Sequence, residues 1–272
     1  MKKYILHTLY STLGICSLSL LGLCAACTEQ DELPSADPQP LAIAIGETVP
    51  FVEATGGAHT RVADSGTALT WENGDKIYLA AKITMNGTTT YAYSTATYTS
   101  SGSNGTWSDP DPALSAPAGA TVNIEALYAK GTLSGNILTF AENSIVTKAT
   151  ATGITVTAST AAIPLKFQSA LVRLEVVGIS ASNTVTFCNF LVPQSVDTQP
   201  ANGSFKFTTS SGSVVKDGVY YAYPSGIYLT TSNKKDLSRA AADVKANQSY
   251  LFDMSSENGD VRPDGDIFVK PT

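Results

Sequence analysis

The chemistry open to this chain is narrowed by residues it lacks. Its 272 residues include two histidines and four cysteines. His7 lies in an apolar leader, which leaves His59, in Gly56-Gly57-Ala58-His59-Thr60-Arg61, as the histidine any Ser–His–Asp triad would have to use. No Gly-x-Ser-x-Gly elbow accompanies it. One histidine cannot build a three-histidine zinc centre or a His-Glu-x-x-His motif. Cys188, in Thr186-Phe187-Cys188-Asn189-Phe190, offers a thiol. A lone cysteine in a strand-like run is more often a small buried hydrophobe than a nucleophile. Asp109-Pro110-Asp111 is too stiff and short to wrap calcium. Glu257-Asn258-Gly259-Asp260 and the following Asp264-Gly265-Asp266 have the oxygens but not the spacing or closing Glu of an EF-hand loop, and read as solvated turns. No carboxylate pair is marked out for acid–base work. The chain reads as a non-enzyme without metal or cofactor.

The cysteine with the clearest chemistry is Cys27. Lys2 and Lys3 precede an apolar run from Tyr4 to Leu23, which closes on Cys24-Ala25-Ala26-Cys27 before the acidic Thr28-Glu29-Gln30-Asp31-Glu32. A basic start, an apolar middle and small residues before a cut form the layout of a secretory signal. A cysteine directly after two small residues is similar to a bacterial lipoprotein signal, in which the new N-terminal cysteine carries lipid. Cys27 fits better than Cys24, which follows the bulky Leu23; the first lipobox position, commonly Leu, is Cys24 here. The alternative is an N-terminal membrane helix, since the run approaches the ~20 residues that span a bilayer. It lacks a basic stop and ends in small residues, so residues 1–26 are assigned as a lipoprotein signal peptide.

Residues 27–40 then form a lipidated cysteine and an acidic, proline-rich tether, with Glu29, Asp31, Glu32 and Asp37 and no aromatic side chain. Such a segment buries too little apolar surface to fold. Extended at ~3.1 Å per residue, it would hold a domain off the bilayer. Loss of Lys2 and Lys3 with the signal takes the formal charge from −6 to −8. That charge, without basic clusters, argues against nucleic acid and against anionic lipid head groups. With Cys188 the sole cysteine beyond Cys27, the mature chain has no intrachain disulfide between two free thiols and no thiolate metal site.

The rest alternates apolar and polar residues in short runs separated by Gly, Asn, Asp, Ser and Pro. Lys76 to Ala81 follows the turn Glu72-Asn73-Gly74-Asp75. Thr90 to Tyr98 puts Tyr91 and Tyr93 on one face, Ala92 and Ser94 on the other. Val122 to Tyr128 begins alternating and then turns apolar; Ile163 to Phe167 and Leu171 to Val177 also alternate. Further runs lie at Val185 to Leu191, Phe205 to Phe207, Val219 to Tyr223, Tyr250 to Phe252 and Ile267 to Val269. This pattern predicts an all-β fold of antiparallel sandwiches. Leu237 to Ala246 (LSRAAADVKA) is the one stretch read as a short helix, capped by Ser238 or Asp236. A Thr-rich stretch, 149–160, divides the folded part into residues 41–160 and 161–272.

Several segments together resemble the fimbrillin family of Bacteroidetes, subunits and accessory lipoproteins of type V pili. Thr60-Arg61 precedes Trp71-Glu72-Asn73-Gly74-Asp75-Lys76-Ile77, similar to the family's Thr-Arg followed by W-x-x-G-D-x-I. Trp107 and then Val122 to Tyr128 resemble its next Trp and apolar strand. Pro164 to Leu174 resembles a paired-strand segment, with Gln168 where histidine is common. Ala246 to Phe252 resembles the approach to its closing strands.

The resemblance implies two tandem transthyretin-like antiparallel β-sandwich domains, exported as an outer-membrane lipoprotein to the cell surface or fimbrium. It implies partners of three kinds: other fimbrial subunits joined by strand addition, membrane lipid through acylated Cys27, and a host or bacterial surface ligand. Family subunits are cut after an arginine, which removes a first strand and opens a groove for a partner's strand. Leu41-Ala42-Ile43-Ala44-Ile45 is the candidate removable strand and Arg61 the candidate cut site. Accessory members keep their lipid and are not cut this way, and both roles stay open. So does a different function, a surface lipoprotein that binds carbohydrate through aromatics such as Trp71 and Trp107.

Lipidation at Cys27 is directly testable. Stable anchoring takes more than one acyl chain. Metabolic labelling with an alkyne fatty acid should mark the wild type and leave Cys27→Ala unlabelled; equal labelling of both refutes the assignment.

Overall fold

The alternating runs become strands in a computed structural model of the chain, which describes residues 37–49, 52–53, 71–101, 104–142, 144–233, 236–254 and 260–263. No helix occurs among the described residues. The N-terminal strands are β1 (Pro38–Pro40), β2 (Ile43–Val49) and β3 (Val52–Glu53). Then come β4 (Lys76–Met85), β5 (Thr88–Ser101), β6 (Asn104–Trp107), β7 (Ser115–Pro117) and β8 (Thr121–Tyr128). β9 (Gly131–Ser134), β10 (Ile137–Phe140), β11 (Thr147–Thr155) and β12 (Ile163–Ser169) follow. The remainder comprises β13 (Val172–Val177), β14 (Val185–Asn189), β15 (Leu191–Asp197), β16 (Phe207–Ser211), β17 (Gly218–Ala222), β18 (Ile227–Thr231), β19 (Asp236–Arg239), β20 (Gln248–Asp253) and β21 (Asp260–Pro263).

The largest sheet has seven strands in the order β2-β12-β11-β8-β4-β5-β6. Its central hairpin, β4–β5, turns at Asn86 and Gly87, both at positive φ. That geometry matches the twist of the flanking strands and explains the Asn-Gly pair. Ile77 to Ala81 of β4 are all buried, so this strand has no solvent face. Ile77, Leu79, Ala81 and Ile83 enter one core with Val122, Ile124 and Ala126 of β8 and Ile163, Leu165 and Phe167 of β12. The opposite face, Tyr78, Ala80 and Leu127, packs in a second cluster with Leu138 of β10, Val196 of β15 and Leu171. The sheet β16-β15-β10-β9 supplies Leu138 and Val196 to that cover. Burial on both faces is why β4 reads as an unbroken apolar run and why β8 stops alternating at Ala126.

A third core lies between the sheet β17-β13-β20-β21 and the three-stranded sheet β14-β18-β19. Val172, Leu174, Val176, Tyr250 and Phe252 meet Ile227, Leu229 and Leu237 there. β11 and β12, on either side of residue 160, are hydrogen-bonded neighbours in the seven-stranded sheet. The chain passes to the third core at Ala170-Leu171. Asn247 pins that passage. Its side-chain oxygen accepts the Ser169 amide at 3.1 Å and its own amide donates to the Leu171 carbonyl at 2.8 Å. The described residues from Pro38 to Pro263 belong to one compact unit.

Three expectations change. The pairing is mixed: β2–β12, β13–β20 and β3–β20 run parallel. Period-two alternation reports which face a side chain occupies and not which way its neighbour runs. Pro38–Pro40, read from composition as tether, form β1 against β7. Proline is tolerated there because a two-stranded ribbon is all edge. The segment Leu237 to Ala246 is no helix: β19 pairs with β18, and a turn follows in which the Asp243 amide donates to the Ala240 carbonyl at 2.9 Å. Leu237 sits opposite Leu229 and is buried, while Asp236 and Ser238 face solvent. A ten-residue helix is marginal in water, so tertiary pairing overrides alanine's propensity.

Asn247 sits at φ 62°. Asn247→Ala should cost about 2–4 kcal/mol, through the left-handed backbone and an orphaned buried amide. Asn247→Gly should cost less, since it loses only the side-chain bond. Urea denaturation of both checks this, and equal losses would remove the backbone argument.

Candidate strand-exchange edge

The predicted removable segment, Leu41 to Ile45, overlaps β2, which begins two residues further along. It lies at the end of the seven-stranded sheet and is bonded on one side, parallel to β12, with Ile43 opposite Ile163, Ala44 opposite Pro164 and Ile45 opposite Leu165. The register then slips, so that Thr48 faces Phe167. Leu41, just ahead of β2, is buried, and its amide donates to the Leu114 carbonyl at 2.8 Å. Ile43 and Ile45 are half-buried against the first core.

β12 depends on this neighbour. On its other side it is in register with β11 only at Thr147–Ser169 and Lys148–Gln168. From Ile163 to Leu165 its ladder partner is β2. Removing β2 would therefore leave an unpaired backbone edge beside the exposed former neighbours of Ile43 and Ile45 in the first core. An edge of that kind accepts another strand. β3 continues the segment onto β20, with Val52 opposite Gln248. The strands β1, β2 and β3 thus pair with β7, β12 and β20 in turn. Cys27, His59 and Arg61 lie outside the described residues, as do Glu257-Asn258-Gly259 and Asp264-Gly265-Asp266.

The Trp71 to Ile77 motif closes the end of the same core. The Trp71 ring meets Trp107, Tyr128 and Phe167 edge-on, with centroids 4.9, 5.0 and 5.8 Å away. The Asp75 carboxylate accepts the Glu72 amide at 2.8 Å. The Gly74 amide donates to the Tyr98 carbonyl, and the Tyr98 amide to that of Asp75, both at 2.8 Å. Gly74 holds φ +89°, which a side chain would strain. Burial, with the Asp75 charge next in importance, pushes the Tyr128 hydroxyl above its ordinary range. The motif is thus a packed turn. Trp71 and Trp107, candidates for stacking on sugar, are packed against the first core instead.

Cys188 sits half-buried on β14 against the third core. Burial pushes its thiol pKa up, partly offset by a backbone hydrogen bond at Val214, which is opposite to what a nucleophile needs. Asp111 exchanges backbone hydrogen bonds with Thr95, so the Asp109-Pro110-Asp111 loop is fastened to β5. Among the described residues no group of three or more His, Cys, Asp or Glu side chains is placed to hold a metal.

One polar cluster was not singled out from sequence. Glu125, on the polar side of β8, pairs with Lys148 at 2.9 Å. It also accepts the Ser204 hydroxyl at 2.7 Å and the Phe205 amide at 3.1 Å. The carboxylate ties the segment before β16 to β8 and β11. Its one sequence signal was an acid inside an otherwise apolar run. Burial raises the Glu125 pKa, but the Lys148 and Ser204 hydrogen bonds, the Lys148 charge and the Phe205 amide outweigh it, and the net shift is downward. A lowered folded value means the contribution is full above the unfolded pKa of about 4.3 and is lost as pH falls through the folded value. Glu125→Gln should destabilise the protein by about 1–3 kcal/mol at pH 7. Paired melts at decreasing pH should show that gap closing in acid; a pH-independent gap would mean the charge is irrelevant.

No family model matches the sequence, and no curated protein matches it. Among solved structures, a fimbrial assembly protein from Parabacteroides distasonis is similar with a TM-score of 0.48 at 11% identity, over 86% of this chain and 100% of that one. A protein assigned to cell adhesion from Bacteroides uniformis gives 0.39 at 14%, over 84% and 96%. A C-terminally truncated tip fimbrial protein from Porphyromonas gingivalis gives 0.35 at 9%, over 70% and 93%. The chain is thus similar to fimbrial and adhesion proteins of Bacteroidetes, at identities that leave its function to be read from its own residues.

Proposed function

We propose that this chain is a structural or accessory subunit of a cell-surface fimbria, assembled by β-strand exchange and contributing to adhesion. The observation that carries the reading is β2: a parallel edge strand, bonded to one neighbour, whose removal would uncover β12 along Ile163 to Leu165. A replacement strand from another subunit would restore that ladder and refill the contacts of Ile43 and Ile45 with the first core. Main-chain pairing supplies affinity and the alternate side-chain pockets supply selectivity. No disulfide is needed for such a joint.

The remaining parts fit one pathway. Lipid on Cys27 holds the exported chain at the outer membrane, and the acidic tether spaces it from the surface. A cut after Arg61, which follows β3 in sequence, would release β1, β2 and β3 together. In a polymerising subunit that release is the maturation step. In an accessory subunit the lipid and the first strands stay. The partners are other fimbrial subunits and membrane lipid, with a surface ligand at the distal end.

Native full-length protein should be nicked by a trypsin-like protease after Arg61, in a glycine-rich segment whose small residues favour cleavage. The nicked protein should form ladders or bind a peptide copying a terminal strand, and Arg61→Ala should abolish both. Nicked protein that stays monomeric at high concentration and binds no strand peptide overturns assembly by strand exchange.

A further inference from the structure

The outer face of the three-stranded sheet β14-β18-β19 carries an aromatic pair. Phe187 is 53% exposed, at the level of a polar loop residue, although it lies within a strand. It is diagonal to Tyr228 on the neighbouring strand, with ring centroids 5.8 Å apart and planes 62° apart. The inner face of the same sheet is apolar, with Leu229 opposite Leu237 in the third core. The aromatic pair is therefore not displaced core; it is displayed on the opposite side.

The strands run antiparallel, so Asn189 at the end of β14, Tyr228 at the start of β18 and Ser238-Arg239 at the end of β19 come together at one end of the sheet. They line an open cleft of about 440 Å³. That lies in the range of small-molecule clefts, roughly 300–1,000 Å³. Asn189 and Ser238 are exposed, so their amide and hydroxyl are available. One residue pair along the sheet, Thr230 donates its hydroxyl to the Asp236 carboxylate at 3.1 Å.

We propose that this face and its cleft bind a neutral polysaccharide. A pyranose ring has a face of C–H groups and a rim of hydroxyls. The first matches the exposed Phe187 ring and the half-buried Tyr228 ring beside it, and the second matches an amide, a hydroxyl and a carboxylate, which donate and accept in the plane of the sugar. Two rings tilted by 62° present differently angled faces, which suits successive residues of a twisted chain better than a single flat ligand. Neutrality follows from charge. Asp236 leaves this face with an acidic group, since the Arg239 guanidinium lies over the ring of Tyr250 in the third core, and the whole chain carries −6, so an acidic polymer is disfavoured. A protein partner fits less well, because two rings fall far short of the ~800 Å² per side of a stable interface.

The test is affinity electrophoresis of the full chain in native gels containing mannan, hydroxyethylcellulose or laminarin, beside a gel without polysaccharide. At least one of the three should retard the wild type. Phe187→Ser, at an exposed position, should keep the wild-type melting curve and weaken retardation at least tenfold. Asn189→Ala with Ser238→Ala should weaken it several-fold while leaving the rings intact. No retardation in any of the three gels overturns the proposal, as does retardation that Phe187→Ser leaves unchanged. Self-association of the wild type that Phe187→Ser abolishes, without polysaccharide binding, overturns it in favour of a protein contact. None of these readouts depends on Arg61 or β2, so the result stands apart from the strand-exchange reading.

Discussion

Burial of β4 and β8 on both faces is the constraint around which the other sheets are arranged. A strand with apolar side chains on alternate positions needs one covering layer; these two strands need two. The first face is filled by β12, the Trp71 cluster and residues around the β1–β7 ribbon, and the second by the four-stranded sheet carrying Leu138 and Val196. Each fully buried aliphatic side chain there is worth roughly 1.5–3 kcal/mol relative to exposure. The layers are therefore contiguous along the chain, with Leu171 in the second cluster and its neighbour Val172 already in the third core.

The same layering leaves β2 at the margin of the first core. β2 contributes Ile43 and Ile45 at half-burial, whereas β4 contributes five consecutive fully buried residues. The sheet would lose a margin with β2 but its middle with β4. Parallel pairing adds to this asymmetry. β2 is not joined to β12 by a hairpin, since more than a hundred residues separate them in the chain, so the contact is held by the ladder and packing alone. In the proposed exchange, a strand from another chain with the same alternation would satisfy the same edge.

Polar groups inside the fold serve position more than reactivity. Glu125 and Lys148 fasten the segment before β16, Asn247 fastens the passage between cores, and the Tyr250 hydroxyl donates to the Asp243 carbonyl at 2.7 Å to hold the loop before β20. Cys188 is shifted away from reactivity by its burial. What the surface displays is different in kind: an aromatic pair on an outer sheet face beside amide and hydroxyl groups.

Much of the local architecture was legible in the sequence. The alternation of Thr90 to Tyr98 placed Tyr93 and Ala92 on opposite faces, and they do pack into different clusters. The Gly74-Asp75 turn and the all-β character follow from local steric and period-two rules that need no partner. The sequence alone also determined the acylation candidate at Cys27 and the cut candidate at Arg61, because both rest on residue types in a linear order. Strand direction was decided by tertiary structure, since alternation is identical for parallel and antiparallel neighbours. So was the fate of Leu237 to Ala246, where pairing of Leu237 with Leu229 outweighed helical propensity. The pairing of Pro38–Pro40 with β7 and the outward-facing Phe187 ring were decided there too. Residues distant in the chain made those contacts, and only the closed sheets reveal which side of each strand remained facing water.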